Sequence, residues 1–396
     1  MQQSKKAIPA YLIVFSGLLA VLGSLGFARF GYSMILPGMK ESLMLSYTQM
    51  GLMASGNFFG YMVFAFLGGI LASKYGPRIV IASSLSLVGT AMLLTGIVEN
   101  FPQALILRSL TGVGSGGANI SAIMLPAAWF SFKRRGLASG IIASGSSVGL
   151  IATGFLVPTL TDTYGIQGWR YSWFIMGAMT ILFALFCGIM IRNPLTETEP
   201  TCKSTVALGW KRVGRDPLLW KIGLVYFMFG LSYVIYITFF GAYLVKEVGL
   251  DAQSAGALWA LVGGLSFMSG PLFGHVSDRI GRGNSLALVY LIQSLSMFMF
   301  AQKGEGEIIY ASVILFGTTA WSIPSIVAAY SGDHFGPKLA FSVLGFVTLF
   351  FGVGQAIGPF TAGYFADITG SFTSAFLLSA AASALGCFLS LKMLKK

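Results

Sequence analysis

Two arginines, Arg29 and Arg108, stand in stretches otherwise built of Leu, Gly, Phe, Ile and Val: "LGFARFGYSMILP" from Leu25 and "LILRSLTGVGSGG" from Leu105. A guanidinium stays charged in proteins and offers a planar fork of donors that matches a carboxylate. In the middle of a membrane helix it costs about 2.5–3.5 kcal/mol on insertion scales, so such residues mark bundle interiors and substrate paths. None of the 13 acidic residues falls inside an apolar stretch, and the two histidines, His275 and His334, lie at helix ends. The missing counter-ion is therefore expected to be an anionic substrate. A structural alternative stands beside it for each arginine. Arg29 could be held by backbone carbonyls or by Asn57, and Arg108 could serve the conformational cycle. At helical spacing Arg108, Gly112, Ser115 and Asn119 share one face, as do Leu22, Gly26, Arg29 and Ser33, with Tyr32 flanking.

The elements that must position these residues are membrane helices. The 396 residues are 55% hydrophobic and 10% charged, with a mean hydropathy of +0.79. A soluble protein carries roughly 25% charged residues. Twelve apolar runs of the ~20 residues that a spanning helix needs are expected near 10–37, 47–73, 78–98, 102–131, 136–160, 171–192, 218–246, 253–277, 284–302, 307–331, 340–365 and 372–391. They are numbered helix 1 to helix 12. The longest polar stretch follows helix 6, so the chain is expected to form a six-helix bundle over 1–192, a linker over 193–217 and a second six-helix bundle over 218–396. With the N-terminus in the cytoplasm, nineteen of the 25 basic residues fall on the inner side and four on the outer side, Arg29 and Arg108 being the other two. That asymmetry is the positive-inside pattern. It assigns both termini to the cytoplasm of a multi-pass plasma-membrane protein, and it accounts for the net charge of +12 without nucleic acid. Lys5 and Lys6 precede a run too long for a cleaved signal peptide, so helix 1 is expected to be retained. Cys187, Cys202 and Cys387 have no metal-ligand spacing, and no G-x-x-x-x-G-K-[ST] loop is present, so no metal, cofactor, ATP-driven step or catalysis is expected.

The two halves repeat. "GILASKYGPR" from Gly69 and "GHVSDRIGRG" from Gly274 end helices 2 and 8, and "RGLASG" and "KLAFSV" begin helices 5 and 11. "GHVSDRIGRG" resembles the loop motif of the major facilitator superfamily, G-x-x-x-D-R-x-G-R-[RK]. Gly69, Lys74, Gly76 and Arg78 match its first copy, with Ser73 in place of the acid. Gly274, Asp278, Arg279, Gly281 and Arg282 match the second. "RSLTGVG" is similar to the superfamily's helix 4 motif and "GWRYSW" to the start of its helix 6, while "GFARFGY", "RRGLASGIIASGSSVG" and "FGLSYVIYITFF" resemble its bacterial YbfB-like and monocarboxylate-porter-like branches. The resemblance implies an all-α membrane protein of two pseudo-symmetric six-helix bundles, monomeric, working by alternating access. It implies a conformational latch at the two loop motifs and a central cavity lined by helices 1, 4, 7 and 10. On those helices the candidate substrate contacts are Arg29, Tyr32, Arg108, Asn119, Tyr226, Tyr233 and Trp321, with Tyr236, Phe240, Ser322 and Ser325 nearby.

Glycine pairs, Gly112 with Gly116, Gly136 with Gly140, Gly145 with Gly149 and Gly354 with Gly358, have the spacing that lets helices approach closely, and helix 5 with "GSSVG" and helix 11 with "GVGQAIGP" are expected to form the hinges and sliding contacts between the halves. Pro324 and Pro359 are the expected helix breakers. The function expected is secondary or facilitated transport of a small organic anion, most simply a carboxylate. The alternative is an efflux pump for hydrophobic or drug-like compounds, although a cationic cargo would want a buried acid. A membrane sensor without transport is a third class, and the paired halves argue against it.

Overall fold

A computed structural model describes residues 9–192, 214–302 and 306–393, and within them the chain is helical with no strand. Most of the expected linker lies outside these residues. Twelve spans follow in order. Helix 1 is Ala10–Val21, Leu22–Phe30 and Gly31–Leu43 in continuous succession. Helices 2, 3 and 4 are Tyr47–Tyr75, Pro77–Thr95 and Phe101–Trp129. Helix 5 is Phe132–Ala143 with Gly145–Tyr164, and helix 6 is Gly168–Met190. Helices 7, 8 and 9 are Pro217–Lys246, Ala252–Ile280 and Arg282–Ala301. Helix 10 is Gly306–Thr319 with Ser322–Phe335, and helices 11 and 12 are Pro337–Thr369 and Thr373–Lys392. Nine stretches among the described residues are long and apolar enough to cross a membrane, and one of them, Arg134–Met190, holds two spans. Helix 2, bent by 44° between Tyr47–Ala65 and Leu67–Tyr75, makes a further one.

The packing repeats at an interval of six helices. Helices 2 and 4, 3 and 4, 3 and 6, 1 and 5, and 1 and 6 pack together, and so do 8 and 10, 9 and 10, 9 and 12, 7 and 11, and 7 and 12. The loop motif shows the same repeat in its backbone. Gly76 (φ 85°, ψ 150°) and Gly281 (φ 90°, ψ 151°) turn the chain between helices 2 and 3 and between 8 and 9 in nearly one conformation. That region is essentially closed to residues with a Cβ, which is why the motif holds a glycine there. Its charges tie helix ends. Arg282 reaches Asp278 at 2.5 Å, Asp333 of helix 10 at 2.8 Å and the Ser277 hydroxyl at 2.6 Å. In the first copy Arg78 donates to the Gly188 carbonyl of helix 6 at 2.6 Å, and Ser73 turns back to the Gly69 carbonyl at 3.0 Å.

Among the described residues, the main contacts between the first six spans and the last six are three helix pairs: 1 with 7, 2 with 11 and 5 with 8. On the face that the charge count makes outer, each pair is closed by an acid. Lys246 of helix 7 meets Glu41 of helix 1 at 2.7 Å. Gln253 of helix 8 donates to Asp162 of helix 5 at 2.8 Å. Asp367 of helix 11 accepts from the Tyr47 and Thr48 amides, both at 2.8 Å, at the N-terminus of helix 2. Beneath them Gly154 and Gly256 put helices 5 and 8 in backbone contact: a Cβ on Gly154 would lie 2.5 Å from the Gly256 carbonyl oxygen. On the opposite face the main contacts stay within each half. The inner piece of helix 5 packs on helices 1 and 4, and the inner piece of helix 10 on helices 7, 8, 9 and 11.

Two expectations are corrected here. The segments "GSSVG" and "GVGQAIGP" do touch the other half, through Ser147 on Ser266 of helix 8 at 2.8 Å and through Gly352 and Pro359 on Met62 and Gly51 of helix 2, but their glycine pairs do not: Gly145 and Gly149 press on helix 1, and Gly354 and Gly358 on helix 7; among the described residues no atom lies within 4 Å of a Cβ placed on Gly136 or Gly140. Helix 10 does break near Pro324: the break falls at Ala320–Trp321, one turn ahead of it, where Pro324 offers no N–H to the Ala320 carbonyl and its ring crowds that carbonyl, and the Ser269 hydroxyl of helix 8 accepts from the Trp321 amide at 3.1 Å. Helix 11 runs unbroken through Pro359.

The outer closure yields a prediction. A hydrogen bond to a charged acceptor contributes about 1.5–3 kcal/mol, so Asp367→Asn should shift the population toward an open outer face by roughly tenfold or more. A cysteine reporter at Ser55, whose hydroxyl accepts from the Phe360 amide in the same seam, should label faster with a membrane-impermeant maleimide added outside. Unchanged labelling would mean that Asp367 only caps helix 2.

Candidate functional site

Among the described residues, Arg29 and Arg108 are the only charged side chains that are buried, at 8% and 1% exposure. They line one small cavity together, yet their surroundings differ in kind.

Arg108 is tied into the scaffold. Its Nη1 donates to the Ala28 carbonyl at 2.6 Å, and its guanidinium lies 4.4 Å from the Tyr32 ring centre and 5.2 Å from that of Trp173 on helix 6. Tyr32 in turn donates to the Met50 carbonyl at 2.8 Å. Two turns further along helix 4, Ser115 donates to the Ser24 carbonyl at 2.7 Å. Helix 1 can accept both bonds because Leu22–Phe30 is wound as a π-helix. The segment holds two glycines, a weak helix former, and Gly26 meets Gly149 of helix 5 backbone to backbone. Irregular backbone survives at membrane depth where protein groups satisfy it, and helix 4 supplies them. The carbonyl that was an alternative for Arg29 is thus Arg108's partner. Asn57, also weighed for Arg29, instead donates to the Arg108 main-chain carbonyl at 3.1 Å.

Arg29 stands on the last turn of the π segment, among aromatic rings. Its guanidinium lies 4.1 Å from the Tyr61 ring centre and 4.6 Å from that of Phe58, both on helix 2. Tyr233 of helix 7 faces it from the other half. Its Nε and Nη2, the two donors along one edge of the guanidinium, are buried and have no hydrogen-bond partner.

The surrounding groups come from both halves. Asn119 of helix 4 donates to the Tyr61 hydroxyl at 2.8 Å, and its Oδ1 is buried without a partner. Gln355 of helix 11 donates to the Tyr233 hydroxyl. Trp321, at the break in helix 10, packs 5.5 Å from Phe30 and 6.2 Å from Tyr233, centre to centre, with its indole N–H unpartnered. The cavity, of about 10 Å³, has room for roughly one water molecule and lies between Arg29, Tyr32, Asn57, Phe58, Arg108 and Thr238.

Of the expected contacts, the structure brings Arg29, Tyr32 and Arg108 to this cavity. Asn119 is linked to Arg29 through Tyr61, Tyr233 faces Arg29, and Trp321 packs on Phe30 and Tyr233. Tyr226 is stacked 4.6 Å from Phe351. Tyr236 and Phe240 turn into the core of the last six helices against Phe316, Trp259 and Phe300, and the Ser322 hydroxyl donates to the Ser269 carbonyl at 3.0 Å. Sequence reasoning missed Tyr61 and Gln355. Asn57 and Tyr61 are a polar pair one turn apart in an apolar helix, and Gln355 is the sole amide of "GVGQAIGP"; either signal would have found them.

Residues 21–391 match the family described as uncharacterised MFS-type transporter YbfB. The chain is 27% identical to a probable sulfoacetate transporter of Cupriavidus necator, over 92% of this chain and 89% of that protein. It is 26% identical to a hexuronate transporter of Bacillus subtilis, over 99% and 95%. Among solved structures it resembles a D-xylose-proton symporter with a TM-score of 0.76 and 16% identity, covering 96% of this chain and 97% of that one, a likeness of fold. The chain belongs to the YbfB-like family of membrane transporters within the major facilitator superfamily.

Proposed function

We propose that the protein carries a small organic anion across the plasma membrane by alternating access, the carboxylate docking side-on against Arg29. The observation that carries this reading is the buried, unpartnered pair Arg29 Nε and Nη2. Two parallel donors removed from bulk water are worth most to a ligand that accepts both, and a carboxylate does so in one plane. Their neighbours are aromatic rings and neutral hydroxyl and amide groups, with no buried acid among the described residues to compete. The relatives named for sulfoacetate and hexuronate, both anions, support the same class. An outer face closed by acids, with the main contacts of the inner pieces kept within each half, suits one end of such a cycle, and the basic-residue count supports cytoplasmic termini.

The energy source follows from the same inventory. Proton symport commonly uses a membrane carboxylate, and among the described residues the acids lie at helix ends. Asp251, before helix 8, is held below the usual carboxylate range by the Ser254 hydroxyl and amide, so it stays charged near neutral pH. We place the protein among anion exchangers, uniporters, or symporters in which the proton travels with the substrate.

The unlike arginines should respond differently to the same substitution. In proteoliposomes, Arg29→Gln should insert and fold normally yet lose anion uptake by about 100-fold, or roughly 2.8 kcal/mol at 1.4 per tenfold. Arg108→Gln should instead lower the melting temperature, since it strips the Ala28 carbonyl of its donor. An Arg29 variant with normal uptake, or uptake of a lipophilic cation in place of anions by the wild type, would refute the reading. The pH dependence of transport should track substrate ionisation: two carboxylates of clearly different pKa should give displaced pH profiles. Superimposed profiles, abolished together by neutralising Asp251 or Asp333, would point to a protein carboxylate as the coupling group.

A further inference from the structure

We infer that Asn119 is a specificity-determining residue that reads a hydroxyl group on the substrate at a distance from its carboxylate, so that hydroxylated monocarboxylates are preferred to alkyl carboxylates of the same size. The inference rests on the Arg29 reading and extends it along the site.

Asn119 is 4% exposed, and the carboxamide is used at one end only: Nδ2 donates to the Tyr61 hydroxyl, and Oδ1 has no partner. A buried polar group left unpaired has given up its hydrogen bonds to water and gained none in return. The Tyr61 contact also fixes the plane and direction of the amide, so the unpaired end is held in place. A hydroxyl is the neutral group that answers an amide whichever of its ends is presented, because it both donates and accepts.

The spacing follows from Tyr61. Arg29 lies on its ring, at 4.1 Å from the centre, and Asn119 lies at its hydroxyl, 2.8 Å away. The charged and neutral contacts thus sit at opposite ends of the far half of the Tyr61 side chain, so the hydroxyl is read apart from the carboxylate. The charge count follows from Arg108. Its Nη1 is engaged by the Ala28 carbonyl and its face by Tyr32 and Trp173; its Nε is a single unpartnered donor, whereas Arg29 keeps both donors of one edge, and one carboxylate matches that two-donor edge. The aromatic walls, Phe58, Tyr233 and Trp321, suit the carbon chain between the two ends.

Titration calorimetry on the purified full chain in detergent tests this without interference from passive permeation of the acids. Heptanoate and 6-hydroxyhexanoate have the same number of heavy atoms and differ by a methyl for a hydroxyl. The wild type should bind 6-hydroxyhexanoate at least about tenfold more tightly, because a site built to pair a substrate hydroxyl rejects the analogue that leaves it unpaired. Asn119→Leu should erase that ratio while leaving carboxylate dependence intact, shown by failure of the corresponding primary amides to bind. Asn119→Ser, which keeps a hydrogen-bonding group, should retain part of the preference and guards against a folding defect in the leucine variant. Equal affinities in the wild type, or parallel weakening of both acids by Asn119→Leu with the ratio preserved, would overturn the role of Asn119 while leaving Arg29 in place. Equal binding of the amides and the acids would overturn the Arg29 reading itself and the inference with it.

Discussion

Two positive charges sit in the membrane interior with no buried acid among the described residues to neutralise them, and the central part of the fold is arranged around that constraint. Arg108 is compensated by fixed groups: a backbone carbonyl, two aromatic faces and close packing from helices 1, 2 and 6. A cation over an aromatic ring gains about 0.5–2 kcal/mol when desolvated, and a charged hydrogen bond about 1.5–3. Together these are of the size of the insertion cost, so Arg108 can be a permanent part of the scaffold. Arg29 receives the rings but keeps two donors unused.

The asymmetry has a mechanical side. Winding Leu22–Phe30 as a π-helix turns the carbonyls of Ser24 and Ala28 toward Ser115 and Arg108 of helix 4. Helices 1 and 4 are thereby joined by bonds from side chain to backbone. Arg29, on the same short segment, inherits a fixed position from a bond its neighbour makes. Across the site the halves also meet through rings: Trp321 meets Phe30 of the first half ring to ring, with Tyr233 packed behind it. A few buried directed bonds cross beside them, from the Gly241 amide to the Ser33 hydroxyl at 3.3 Å and between the Ser147 and Ser266 hydroxyls at 2.8 Å. At the outer rim the halves are joined by directed bonds, at Glu41, Asp162 and Asp367, where water can replace them.

Much of this was legible in the sequence because hydrophobic length and charge placement are properties of single segments. The twelve spans, the uneven distribution of Lys and Arg, and the shared face of Arg108 and Ser115, both of which bond helix 1, all follow from counting along one helix. Gly76 and Gly281 were legible for the same reason, since a turn closed to side chains must show a glycine. What escaped were properties of pairs. That Arg108 and not Arg29 takes the carbonyl depends on the π winding of helix 1, which no residue pattern announces. That Gly149 faces helix 1 and Gly354 faces helix 7 depends on rotation about the helix axis, and small-residue spacing marks a contact without naming the partner. Tyr61 and Gln355 were passed over because each is one polar residue among apolar ones; their meaning lies in the residues opposite them.

If Arg29 takes its counter-ion from the cargo, its charge also bears on the empty carrier. When the inner face opens, the guanidinium has a path to water. To turn the loaded or empty carrier around, the halves must close over the site, and closing strips that water away. With a carboxylate docked, the pair entering the low-dielectric interior is neutral overall and doubly hydrogen-bonded. Without it, a lone cation is enclosed between Phe58, Tyr61 and Tyr233, and the penalty for an uncompensated buried charge runs to several kcal/mol. Each 1.4 kcal/mol of extra barrier slows a step about tenfold. On that reading the return of the empty carrier would be the slow limb of the cycle, and return with a second anion the fast one. The charge proposed to select the anion would then also bias the carrier toward exchange, a bias that follows from the lack of a buried acid among the described residues and is independent of any proton-carrying group.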